Sequence, residues 1–136
     1  MYEVFEHTAD VGLRVRADSL DALLVDAARG LFSLIVTNLD QVEAVQEKTI
    51  RIDGSEPDYL LFDWLNELLY TFEVDRLLLS EFAVSVDPQG LTATCRGETM
   101  QLDRHEMDHE VKAITYHGLK VQQDDDGWMA ELIVDI

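Results

Sequence analysis

Basic residues, cysteine and proline are all scarce in this chain of 136 residues. Lys and Arg total 10 against 28 Asp and Glu, a formal charge of −18. A surface this acidic repels phosphate backbones, so stable direct binding to nucleic acid is disfavoured, and cations or the basic surfaces of partner proteins are favoured instead. The single cysteine, Cys95, excludes an intramolecular disulfide and any multi-cysteine metal site, and it fits a reducing compartment. The opening residues show no basic region followed by an apolar one, and no stretch approaches the roughly 18 apolar residues of a membrane span. These absences predict a cytoplasmic protein with no membrane partner. The P-loop, G-x-G-x-x-G and G-x-S-x-G motifs are also missing, which removes the commonest nucleotide-binding and serine-hydrolase readings.

What the chain does have is apolar content, at 47%, and regular patterning. That is enough to bury one core, so residues 1–136 are expected to form a single domain. Val11, Leu13, Val15 and Ala17 alternate with Gly12, Arg14 and Arg16, the period of a half-buried strand. A short strand at 3–6 precedes it across the polar segment His7-Thr8-Ala9-Asp10. Leu20, Leu23, Leu24, Ala27, Leu31, Leu34 and Ile35 recur at helical spacing, with Asp18 or Ser19 as cap and Asn38 as a left-handed close. Residues 45–52 read as a strand ending in the Asp53-Gly54 turn. A second helix begins with Ser55 or Glu56, Pro57 and Asp58, and carries Leu61, Trp64, Leu65, Leu68, Leu69 and Phe72 as its stripe. Strands at 82–86, 91–95, 111–119 and 128–134 follow. Helices and strands do not alternate throughout, which predicts an α+β domain with a mainly antiparallel sheet and two amphipathic helices.

Three features carry candidate chemistry. His105-Glu106-Met107-Asp108-His109 spells H-E-x-x-H, but that zinc motif acts only on a helix, and the flanking residues have no helical stripe. A loop between strands is the expected reading. His7 and Asp10 lie three residues apart ahead of a strand, where Asp10 alone would suit an ordinary turn. Asp135 and the α-carboxylate of Ile136 sit side by side at the end of the last strand. Convergence of Asp10 on that end would gather hard oxygen donors of the kind Ca²⁺ or Mg²⁺ prefers, yet spacing alone does not show convergence. Lys112 and His117 belong to one β-rich stretch, where Lys could guard a strand edge or face a carboxylate. Asp124-Asp125-Asp126-Gly127 lacks the spaced ligands of an EF-hand and reads as a hairpin turn, and Cys95 reads as a small core residue.

Taken together, E-H-T-A-D-V-G-L at 6–13, E-V-K-A-I-T-Y-H at 110–117 and V-D-I at 134–136 resemble the archease family. The resemblance runs the length of the chain, through G-L-F-S at 30–33 and D-Y-L-L-F-D-W-L-N-E-L-L-Y at 58–70. It implies a non-catalytic accessory protein of an RtcB-type RNA ligase, which joins 3′-phosphate or 2′,3′-cyclic phosphate ends to 5′-hydroxyl ends with GTP and metal during tRNA splicing or RNA repair. The implied role is to promote guanylylation of the ligase and multiple turnovers. By resemblance, Asp10, Asp135 and Ile136 match a divalent metal site, with Ca²⁺ expected first and Mg²⁺ or Mn²⁺ next, and Lys112, His7 and His117 match positions on the functional surface. A chaperone-like, metal-binding module with a different client is the competing expectation. The His105–His109 segment is richer in acid and histidine than the resemblance requires.

Overall fold

The computed structural model describes residues 1–7 and 10–136, with side chains at all of these except positions 6 and 7. In chain order the described elements are β1 (Tyr2–His7), β2 (Asp10–Ala17), α1 (Leu20–Ile35), a short 3₁₀ turn (Leu39–Gln41), β3 (Gln46–Asp53), α2 (Pro57–Asp75), β4 (Leu77–Asp87), β5 (Gly90–Thr99), β6 (Ala113–Asp124) and β7 (Gly127–Asp135). The strands divide into two antiparallel sheets, a four-stranded one in the order β1-β2-β7-β6 and a three-stranded one in the order β3-β5-β4. Both helices lie between them. α1 packs on β2 on one side and β4 on the other, while α2 packs on β6, β3 and β4. No helix of the described residues is long and apolar enough to cross a membrane.

This layering explains why α1 is more apolar than a one-sided surface helix. Leu23, Leu24, Ala27, Ala28, Leu31, Phe32, Leu34 and Ile35 are all buried, because two sheets must be satisfied at once. Ser19 caps the helix as expected, its hydroxyl accepting from the Ala22 amide at 3.1 Å. The C-terminal end differs from expectation. Val36 closes α1 in extended geometry, and Asn38 is not left-handed. Its side-chain amide instead spans two backbone groups of a distant loop, donating to the Arg104 carbonyl at 3.0 Å and accepting from the Glu106 amide at 2.8 Å. An Asn side chain carries both a donor and an acceptor, so it can latch a loop as readily as it can end a helix.

α2 starts at Pro57 with no side-chain cap from Glu56, and ends at Arg76 in the left-handed region at φ 55°. Trp64 is its keystone. The fully buried indole packs edge-on to Phe82 and donates its N–H to the Leu24 carbonyl of α1 at 2.9 Å. The two helices are thus tied by a directional bond as well as by shape. Trp64→Phe removes that donor and leaves a void where the larger ring sat, and is expected to lower stability by about 1–3 kcal/mol. Urea denaturation of both proteins measures it.

Candidate functional site

The inward alternation of β2 and β7 sets the register on which the site depends. Val11 stands opposite Val134 and Leu13 opposite Leu132, all four in the core. The intervening residues therefore project from the face turned away from the helices. At the end of the pairing Asp10 stands directly opposite Asp135, His7 stands opposite Asp10 on the far side, and Ala113 of β6 stands opposite Asp135. One transverse row, His7–Asp10–Asp135–Ala113, thus joins the start of the sequence, the 110–117 stretch and its last residues. Directly opposed side chains have Cβ atoms about 4.5–5.5 Å apart, and two carboxylates so placed repel each other. Thr8 and Ala9, the middle of the loop expected here, lie outside the described residues.

The row is braced on both flanks. The Lys112 amide donates to the Asp135 carbonyl at 2.8 Å, and the side chain of Ile136 packs against the core. One residue pair along the same outer face, the Phe5 ring lies flat across Gly12, where a Cβ would come within 2.1 Å of ring carbons. Gly12 is needed for that close approach. The Arg14 guanidinium sits 4.8 Å over the same ring and pairs with Glu131 at 3.0 Å, so the surface beside the two aspartates is ordered.

The other expected residues are not gathered onto the row. Lys112 is exposed and, with Ala113, walls a groove of about 600 Å³ against α2. His117 is exposed on a bulge where residues 116–119 of β6 oppose only Leu132 of β7, with Gly118 at φ 72° making the turn. Beside it Tyr116 stacks on Tyr59 of α2 with ring centroids 5.5 Å apart, and meets the edge of Phe62 at 5.2 Å. Sequence patterning gave no weight to this aromatic cluster, although Tyr59, Asp63, Asn66, Tyr70 and Glu73 recur at helical spacing on the face opposite the core stripe.

The H-E-x-x-H segment is a loop, as its flanks imply. His105 is buried and His109 exposed, so the two imidazoles share no face. His105 Nδ1 accepts from the Gln101 amide at 2.8 Å, and its buried Nε2 lies 3.5 Å from Glu98 Oε2 without a hydrogen bond among the described residues. Glu98 is itself buried and accepts from the Arg104 guanidinium and the Glu43 amide. The unit fastens the 100–110 loop to β5. At the β6–β7 hairpin the Asp126 amide donates to Asp124 at 2.9 Å and Gly127 takes φ 124°, an ordinary turn. Cys95 is fully buried, and burial pushes its thiol up to about 12. Among the described residues no three His, Cys, Asp or Glu side chains are gathered as a metal cage.

Comparison with known proteins adds to this geometry. The sequence profile of the archease protein family matches residues 2–136. The archease of Methanopyrus kandleri is 43% identical over 139 residues, covering 99% of each chain, and that of Pyrococcus abyssi is 37% identical over 140 residues, covering 99% of this chain and 98% of its own. The solution structure of protein 1598 from Methanobacterium thermoautotrophicum superposes with a TM-score of 0.88 at 32% identity, covering 99% of this chain and 98% of that one. The crystal structure of an archease from Thermotoga maritima has the same fold, with a TM-score of 0.70 at 23% identity over 100% of this chain and 98% of its own.

The Glu98 unit has a pH signature. The Arg104 guanidinium, aided by the Glu43 amide, holds the Glu98 carboxyl below the usual glutamate range. A depressed carboxyl stabilises the fold fully above the ordinary range, and that contribution is lost as pH falls through the lowered value. The wild-type melting temperature is expected to fall more steeply than that of Glu98→Gln below about pH 4.5. Thermal melts across the acid range compare the two.

Proposed function

Because the chain belongs to the archease family, we propose that it is a non-catalytic accessory protein that activates an RtcB-type RNA ligase, promoting guanylylation of the ligase and sustained turnover. The observation that carries this reading is the row itself. The three sequence blocks that resemble the family are far apart in the chain, yet β2, β7 and the start of β6 bring them to one end of one sheet. A core needs no such convergence of polar residues.

The row also supports a cation. Asp10 and Asp135 project from one face at opposed positions, and the α-carboxylate of Ile136 would be a third hard oxygen donor. Fewer donors than the six to eight that Ca²⁺ takes leaves positions for water or for groups of the partner. The cation supplies positive charge at the edge of an acidic protein, where a phosphate or carboxylate of the ligase site could be received or the metal itself handed over. Asp10 and Asp135 hold it, and the core-packed side chain of Ile136 keeps the end of β7 in place. Lys112, at the groove end of the row, meets an anionic group of the partner; the exposed His117, and His7 by its strand position opposite Asp10, are further contacts in this reading. An acidic chain acting on a cationic RNA-binding enzyme requires no contact with RNA, and the buried, unpaired Cys95 fits a reducing cytoplasm.

A second reading has one observation behind it. The Thermotoga protein of the same fold is described as a possible chaperone, which would make the client something other than the ligase. RNA joining by the cognate ligase at limiting enzyme, with GTP and divalent metal, separates the two. The wild-type chain is expected to convert about one round of joining into many, and Asp10→Asn or Asp135→Asn is expected to lose most of that effect, on the order of tenfold or more, while melting like the wild type. Turnover that does not respond to the wild-type chain at saturation contradicts the ligase role, and unchanged activation by both variants removes the aspartates from it.

A further inference from the structure

The outer face of α2 carries features that the row does not explain. Between Pro57 and Asp75 the helix holds Asp58, Asp63, Glu67, Glu73 and Asp75 and no Lys or Arg. Lys48 reaches Asp75 at 3.5 Å, but among the described residues Asp63, Glu67 and Glu73 make no ion pair. All three line the 600 Å³ groove that ends at Lys112. The groove's other cation, Arg51, is already engaged by Asp53 at 3.0 Å and Asp87 at 3.5 Å.

The same face exposes apolar surface that the core could have absorbed. Tyr59, Tyr70 and Val74 of α2 and Tyr116 of β6 are among the few large hydrophobic residues left exposed, at 56%, 59%, 58% and 42%. Tyr59 and Tyr116 are held rigid by stacking on each other, and the Tyr116 hydroxyl donates to Asp58 at 3.3 Å. Preorganised tyrosines interleaved with carboxylates suit one chemistry above others. A guanidinium group stacks on aromatic faces and takes carboxylates in a planar fork. Phosphate is repelled here, and a second copy of this chain would bring like charge against like.

From this juxtaposition we infer that the outer face of α2, together with the groove it forms against β3 and Lys112–Ala113, is the docking surface for an arginine-bearing, basic segment of the partner protein, and that docking there brings the partner to the Asp10–Asp135 row. The inference rests on the ligase reading and adds to it the place where the ligase is held. Docking and activation are then separate surfaces that meet at Lys112.

Biolayer interferometry with the full-length ligase tests this. The groove pair Asp63→Lys with Glu73→Lys is compared with a charge-matched pair, Asp40→Lys with Glu81→Lys, which lines a different groove beside Tyr2. Tyr59→Ala with Tyr70→Ala probes the aromatic part, and circular dichroism melts confirm that each variant is folded. The groove variants are expected to bind about tenfold or more weakly, the charge-matched pair within about twofold of wild type, and the charge effect is expected to fade in high salt. Equal weakening by both charge pairs overturns the groove, since net charge alone would then explain it, and so does unchanged binding by the groove variants. Failure of the wild-type chain to bind the ligase overturns the ligase reading and the groove with it.

Discussion

The pairing of β2 with β7 is the constraint on which the rest of the molecule depends. It joins residues near the start of the sequence to its last strand, and its register is enforced from inside. Val11, Leu13 and Val15 face Val134, Leu132 and Ala130 in the core. A slip by one residue would turn every one of these outward and bring Gly12 and Arg14 inward, so burial alone excludes it. The same register places Asp10 opposite Asp135. The free energy that fixes this placement is therefore hydrophobic and is applied on the opposite face of the sheet, which leaves the residues of the outer face free to be chosen for something other than packing.

Two sheets with helices between them solve a packing problem and leave two distinct outer surfaces. The interior is closed by the Trp64 bond to Leu24 and by α1 buried on both sides. The outer face of the four-stranded sheet is left with Asp10, Gly12, Arg14, Glu131 and Asp135, and α2 is left with one long unpartnered flank. The loop at 100–110, which most resembles a catalytic motif in sequence, is spent on structure: Asn38 holds its backbone, Arg104 pins it to Glu98 of β5, and His105 bonds the Gln101 amide within the loop.

Much of this was legible in the residues. The alternation at 11–17 and the helical stripes at 20–35 and 57–72 correspond to β2, α1 and α2, because each element is long and its burial one-directional enough to leave a clean period. The strands sort into two sheets rather than one because both faces of the helix layer need covering, which no local pattern records. Leu77, Leu78 and Leu79 open β4 as a continuous apolar run that follows a helix at once, so periodicity had nothing to mark their start. In β6 the alternation from Ala113 breaks at the 116–119 bulge, so the strand expected at 111–119 does not keep one period to its end. His105 is buried in a loop closed by the Glu98–Arg104 pair and the Gln101 amide, and His, Glu and Arg in sequence read equally well as surface. The convergence of Asp10 with Asp135 is a tertiary fact, suggested only by the family resemblance of the two segments and supplied by the strand register.

The proposed binding of a divalent cation by the row is read by paramagnetic broadening by Mn²⁺ in an ¹H–¹⁵N spectrum. Substoichiometric Mn²⁺ is expected to broaden the amides around Asp10, Ala113 and Asp135 first, and Asp135→Asn is expected to abolish that local effect. Broadening centred instead on 105–109 or 124–126, or spread evenly over the acidic surface, would contradict the claim.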